Sequence, residues 1–187
     1  IIRPGRPVIS GEPDPPTSVV SHAHDLGAPI KCLGKDFAIE RRANRARFTV
    51  DGRALDLPLP VLAGPHQLDN LATSLAALLE LSPEAADTPE LLGQGIQAVA
   101  LSGRFERISH RPAIWIDVGH NPMAATAVAA ALAAVIKSDS IVTCRCVIGM
   151  LVDKDAEGVA KELSPVVDSW YCAGLGGERG QTGAELA

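Results

Sequence analysis

Residues 113–150 read AIWIDVGHNPMAATAVAAALAAVIKSDSIVTCRCVIGM, and the order of residue types in that stretch sets the fold class. Ala113 to Val118 is a short apolar run, the length and composition of a strand rather than a helix. Gly119, His120 and Asn121 interrupt it; Asn121 is a helix-capping type, and Pro122 suits the first helical position. Pro122 to Ile136, rich in alanine, therefore reads as a helix, and Val142 to Met150 as a buried strand. Further out, Ala156 to Leu163 reads as a helix and Val166 to Cys172 as another strand, while Phe105 to Ile108 precedes the series as a strand. Strand, helix, strand, helix, strand is the order of an α/β protein with a parallel, doubly wound sheet and right-handed crossovers.

Toward the N-terminus the pattern changes, and a domain boundary near Ala100 divides the chain into residues 1–100 and 101–187. Pro7 to Gly11 reads as a short strand, and Thr17 to Leu26 as a helix that Gly27 stops. Ile30 to Leu33, Phe37 to Glu40, Arg47 to Val50 and Ala54 to Leu57 are short strand candidates. Asp51-Gly52 joins the last pair as a hairpin turn. From His66 or Gln67 to Leu81, leucines at 68, 71, 75, 78 and 79 recur at helical spacing. A further helix is expected from Pro89 to Ala98.

Composition bounds the function. Hydrophobic residues are 47% and charged residues 21% of the 187, so a packed core is expected; aromatics are only 3%, so alanine and the aliphatics must build it. A formal net charge of -5 argues against binding a phosphate backbone, which needs clustered Lys and Arg. The basic run Arg41, Arg42, Arg45 and Arg47 reads as a solvated loop or edge strand. Cys32, Cys144, Cys146 and Cys172 have no C-x-x-C spacing, which favours a reducing cytoplasm over a disulfide scaffold or zinc site. No run approaches the roughly 18 to 20 apolar residues of a membrane helix, and no signal peptide is evident. IIRPG at the start, without methionine, and AELA at the end both read as cuts in a longer chain.

In open α/β sheets ligands gather at the carboxyl ends of strands, where loops enter helix N-termini. The turn Asp117-Val118-Gly119-His120-Asn121-Pro122 occupies such a place. Asp117 can accept hydrogen bonds from two vicinal hydroxyls, and His120 can meet a base, a phosphate or a carboxylate. A plain capping turn would account for Asn121 and Pro122, but not for Asp117 and His120 as well. Arg104, in Gly103-Arg104-Phe105, offers a fork of donors for phosphate or carboxylate. Asn70, in the first turn of its helix, could equally be a bystander on a polar face.

Together these stretches resemble the folylpolyglutamate synthase and dihydrofolate synthase family of the Mur ligase superfamily. The matching elements are Arg3-Pro4-Gly5-Arg6-Pro7 with Gly11-Glu12-Pro13, His66-Gln67-Leu68-Asp69-Asn70 with Ala72, and Gly103-Arg104-Phe105. Asp117 to Pro122 and Val147 to Asp155 match as well, and Trp170-Tyr171-Cys172-Ala173 is similar to the bacterial bifunctional form. The resemblance implies that residues 1–100 are the C-terminal portion of a Mur-ligase-like central ATPase domain. Residues 101–187 would then be a Rossmann-like, parallel-sheet C-terminal domain truncated at its end.

It further implies an ATP-dependent ligase that adds L-glutamate to dihydropteroate or a folylpolyglutamate through an acyl phosphate. In that reading Asn70 contacts adenine, Arg104 the nucleotide phosphates from across the domain interface, and Asp117 the ribose. His120, between nucleotide and amino acid, is the candidate catalytic residue, with no proton transfer assigned to it. The cofactors implied are ATP and Mg2+; the metal ligands and modified lysine would precede Ile1, so none of these residues is expected to bind metal. The implied setting is a cytoplasmic monomer using ATP, glutamate and a pteroate or reduced folate, with no nucleic-acid or membrane partner. Two departures stand out: Gly119 where the family usually has alanine, and Ser102 where proline commonly precedes the glycine. No G-x-x-x-x-G-K-[ST] phosphate loop occurs in the sequence, so these residues alone are expected not to catalyse. Two other readings stay open: a non-catalytic nucleotide-binding α/β module, and a ligase of peptidoglycan precursors.

Overall fold

A computed structural model describes residues 2–62, 64 and 66–187. The chain forms two compact units, Ile1–Ala100 and Leu101–Ala187, each with its own core.

In the first unit β1 (Val8–Ser10) and β2 (Ile30–Cys32) pair in parallel, Val8 opposite Ile30, with α1 (Thr17–Asp25) as the crossover. An antiparallel meander follows: β3 (Phe37–Arg42), β4 (Arg45–Val50) and β5 (Arg53–Pro58). Alternation along β4 buries Ala46, Phe48 and Val50 on one face, as period-two patterning requires. The β4–β5 turn is Asp51-Gly52, with φ of 48° and 76°, two left-handed residues matched to the twist of a hairpin. The basic run lies around the β3–β4 hairpin, where Arg42 pairs with Glu40 at 3.0 Å and Arg47 approaches Asp56 at 3.8 Å. It is a solvated hairpin with partners inside its own sheet.

Helix α2 (Gln67–Leu81) covers this sheet, followed by a 3-10 turn (Pro83–Asp87) and α3 (Pro89–Ala98). The leucine spacing located α2 but gave only part of its buried face. Ala72, Leu75 and Ala76 are buried, whereas Leu78 is exposed. Alanine at the contact lets the helix axis approach closely, so Ala72 and Ala76 meet the core of Phe37, Phe48, Leu55 and Leu57 while Leu71 and Leu79 flank it.

In the second unit β6 (Glu106–His110) and β7 (Ala113–Ile116) precede α4 (Pro122–Ser138), β8 (Arg145–Ile148), α5 (Ala156–Leu163), β9 (Ser169–Cys172) and the short α6 (Gly183–Leu186). The parallel arrangement holds for β8 and β9, with Cys146 opposite Trp170, and α5 as the crossover. It does not hold for β7, which pairs not with β8 or β9 but with β6, in an antiparallel hairpin. Only Arg111-Pro112 joins them, and a parallel crossover needs a dozen residues or more. Strand β8 is also shorter than its apolar run, and Val142 lies 94% exposed outside it.

The core of this unit joins Ala125, Met150, Val159, Leu163 and Val167, flanked by Val128, Leu132, Ile148 and Trp170. All four cysteines are free thiols. Burial raises the pKa of Cys144 and Cys146, which keeps them protonated small hydrophobes. No helix among the described residues is long and apolar enough to cross a membrane.

Candidate functional site

The turn from β7 into α4 is built from its own polar side chains. Asn121 is extended (φ -144°, ψ 160°), and its Oδ1 accepts the Ala124 N–H at 2.8 Å, capping α4 ahead of Pro122. An Asn121→Ala substitution is expected to cost about 1 kcal/mol, the usual worth of such a cap. Urea denaturation monitored by tryptophan fluorescence should read it, because Trp115 and Trp170 both belong to this unit; an unchanged midpoint would count against the cap.

Asp117 is bonded through both carboxylate oxygens. Oδ1 accepts the Gly119 N–H at 2.6 Å and Oδ2 accepts the Phe105 N–H at 2.8 Å. A second tie runs beside it, from the Val118 N–H to the Gly103 carbonyl at 2.9 Å. The loop carrying Arg104 and the turn carrying Asp117 and His120 are therefore one hydrogen-bonded structure. A Cβ at position 119 would stand 2.9 Å from Asp117 Oδ1, so glycine there leaves the carboxylate room to bond the turn.

Gly103 has φ of +69°, and a Cβ there would come within 2.7 Å of Val118 Cγ1, so backbone conformation and space both demand glycine. Phe105 also has positive φ, 47°. Its ring stacks on Trp115 at 6.2 Å, and the Arg107 guanidinium sits 4.7 Å over Trp115's ring while bonding Asp139 at 3.0 Å.

Arg104 is exposed, and its guanidinium has no hydrogen bond or ion pair among the described residues. His120 is exposed, with Nδ1 3.1 Å from the Val118 carbonyl. An N–H donated from that nitrogen leaves Nε2 as an outward acceptor. Arg104, Asp117 and His120 are thus gathered into one polar cluster. Asn70 belongs to the first unit. It is exposed on α2, where its Nδ2 donates to Gln67 Oε1 at 3.2 Å and Gln67 Nε2 in turn lies 3.0 Å from His66 Nε2.

Two contributors carried no sequence signal. Glu106 Oε2 accepts the Gly103 N–H at 2.9 Å, a bond that spacing alone does not announce. Beyond the carboxyl ends of β8 and β9, Arg179 bonds both carboxylate oxygens of Asp153, through Nε and Nη2. The Val152 N–H reaches the Arg179 carbonyl at 3.0 Å and Gln181 Nε2 the Met150 carbonyl at 3.0 Å, so the loops after the two strands are clasped together. The Arg179 guanidinium holds the Asp153 carboxyl below its ordinary pKa. The clasp is therefore complete above the ordinary carboxylate range and is lost as pH falls through the lowered value.

A concavity of about 350 Å3 lined by Lys137, Cys144, Pro165 and Asp168 lies toward the other end of α4 and contains none of the candidate residues. No group of three or more His, Cys, Asp or Glu side chains able to hold a metal occurs among the described residues.

Residues 103–187 match the family model described as Mur ligase, glutamate ligase domain. Over all 187 residues the chain is 36% identical to the dihydrofolate synthase/folylpolyglutamate synthase of Escherichia coli, covering 42% of that protein. The similarly described Haemophilus influenzae protein is 35% identical over the whole chain, with 45% of it covered. A crystal structure of a bifunctional folylpolyglutamate synthase/dihydrofolate synthase with Mn, AMPPNP and L-glutamate bound superimposes with a TM-score of 0.84 at 38% identity, across 100% of this chain and 43% of that one. The chain thus spans somewhat less than half the length of the relatives it matches.

Proposed function

Since the chain belongs to the folylpolyglutamate synthase/dihydrofolate synthase family, we propose that it is the nucleotide-handling part of an ATP-dependent ligase that adds L-glutamate to dihydropteroate, to a folate, or to both. The observation that carries this reading is the cluster in which a carboxylate, Asp117, holds the loop bearing an unpaired guanidinium, Arg104, beside the exposed imidazole of His120.

The chemistry requires a phosphoryl group to pass from ATP to the acceptor's carboxylate. The glutamate amine then attacks that acyl phosphate, forming the amide and releasing phosphate. Barriers of this kind fall through positioning and through cations placed where phosphate charge gathers. Arg104 would supply such a cation. Each Asp117 oxygen accepts one backbone N–H and keeps a lone pair, so both can accept from ribose hydroxyls. His120 would stand between nucleotide and amino acid as the candidate catalytic residue, and Asn70 would offer its amide to adenine.

Mg2+ would neutralise phosphate charge, but the described residues contain no cluster to hold it. Its ligands and a phosphate loop must come from outside these residues. The finer expectations are a cytoplasmic setting, a monomer, and no nucleic-acid or membrane partner. A second reading, which glutamate incorporation separates from the first, is a nucleotide-binding module without turnover.

The test is ATP-dependent incorporation of labelled glutamate by the full-length protein, offered dihydropteroate or tetrahydrofolate. Incorporation with either acceptor is expected, and its preference names the branch of the reaction. A polypeptide of these 187 residues alone is expected to incorporate none. ATP binding without incorporation by the full-length protein would replace the ligase with the binding module.

A further inference from the structure

Arg104 has its backbone fastened on both sides while its side chain is left free. On the N-terminal side Gly103 is held twice: its N–H by Glu106 Oε2 at 2.9 Å, and its carbonyl by the Val118 N–H at 2.9 Å. On the C-terminal side the Phe105 N–H is held by Asp117 Oδ2 at 2.8 Å. Both flanking residues adopt positive φ: 69° at Gly103, which glycine takes without steric cost, and 47° at Phe105, which a non-glycine residue in a free loop would leave readily. Of these holds, the Gly103–Val118 bond joins backbone to backbone and Asp117 is itself a candidate nucleotide contact. Glu106 is different. It sits on β6, half-buried, and its carboxylate accepts from the loop.

We propose that Glu106 is a positioning residue for nucleotide binding, acting through Arg104 by fixing the Gly103 peptide so that the guanidinium is pre-oriented toward ATP phosphate. This rests on the ligase reading above. An arginine side chain has considerable rotamer freedom, so a fixed backbone at its root lowers the ordering cost of each phosphate contact. A charge-assisted bond from a backbone N–H to a carboxylate is among the stronger hydrogen bonds available for the purpose. Glutamine keeps an acceptor oxygen of the same reach, whereas alanine keeps none.

The experiment is steady-state kinetics on the full-length protein with four variants: Glu106→Ala, Glu106→Gln, Arg104→Ala and the double variant Arg104→Ala/Glu106→Ala. Glu106→Ala is expected to raise the KM for ATP about tenfold, the scale of one charge-assisted hydrogen bond. The KM for glutamate should stay within about twofold of wild type, the span of an unperturbed site. Glu106→Gln should recover most of the loss. In the Arg104→Ala background Glu106→Ala should add almost nothing, because a residue acting through another has no effect once that one is gone.

Equal losses from Glu106→Ala with and without Arg104 would overturn the proposal, and so would a wild-type ATP KM in Glu106→Ala while Arg104→Ala raises it. If Arg104→Ala itself leaves the ATP KM unchanged, the nucleotide role of Arg104 fails first, and the positioning role goes with it. Should Glu106→Ala not fold, the Glu106→Gln and Glu106→Asp pair decides: glutamine near wild type and aspartate, one methylene short of Gly103, raised in ATP KM supports it, and equal values refute it.

Discussion

Asp117→Ala is expected to lower kcat/KM for ATP in the full-length protein by at least about a hundredfold. The side chain makes two charge-assisted bonds, to the N–H groups of Gly119 and Phe105. Each such bond is worth about 1.5 to 3 kcal/mol, and about 3 kcal/mol together corresponds to roughly two powers of ten. The loss has two sources. The proposed ribose contacts would go, and the Arg104 loop would be released from the turn that carries His120. Asp117→Asn separates them in part, because its amide keeps one acceptor oxygen and presents an NH2 where the other backbone N–H expects an acceptor. It should fall between wild type and alanine. Nucleotide titration alongside the kinetics checks the assignment, and a loss below tenfold in Asp117→Ala would remove Asp117 from the site.

Phe48→Ala should be the most damaging change in the first unit. Phe48 is 0% exposed at the centre of the meander, 6.4 Å from the Phe37 ring and packed with Leu57, Ala72 and Leu75. Phe→Ala in such a closed core costs about 3 to 5 kcal/mol, because the neighbours relax only partly into the space left. That is a large share of the 5 to 15 kcal/mol that holds a typical domain folded. Far-UV circular dichroism in urea should show the midpoint drop sharply. Both tryptophans belong to the other unit, so fluorescence cannot substitute for dichroism here. A shift equivalent to less than about 1 kcal/mol would mean that the meander is not closed around this ring.

Much of the local architecture was legible in the residues because its causes are local. Asn121 and Pro122 start α4 by capping chemistry and a preset φ, and Asp51-Gly52 turns β4 into β5 because those residues tolerate left-handed φ. The period-3.6 leucine pattern placed α2, since that helix must bury one face, and α3 and α5 lie at the expected residues. The turn at Asp117 was legible as a place where polar groups meet a helix N-terminus. Ala113 to Val118 was expected in the parallel series, yet β7 pairs with β6 instead, because apolar content does not encode a strand's partner; the two-residue link Arg111-Pro112 fixes the hairpin by its length.

Tertiary structure alone decided what those polar groups bond. Asp117 reaches back twelve residues to Phe105, Glu106 turns onto Gly103, and Arg179 crosses twenty-six residues to Asp153. Such partners depend on where the backbone brings donors and acceptors together in space, and residue type states only the capacity to bond. The same limit applied to α2, where leucine spacing indicated a buried face but the close approach of helix to sheet chose Ala72 and Ala76 over Leu78. By itself the sequence determined most element types and the principal turns, and it marked the polar turn at Asp117, because propensity and capping chemistry act over a few residues. The partner of β7, the buried face of α2 and the fastening of the Arg104 loop waited on the fold, because they depend on where backbone and side chains meet in space.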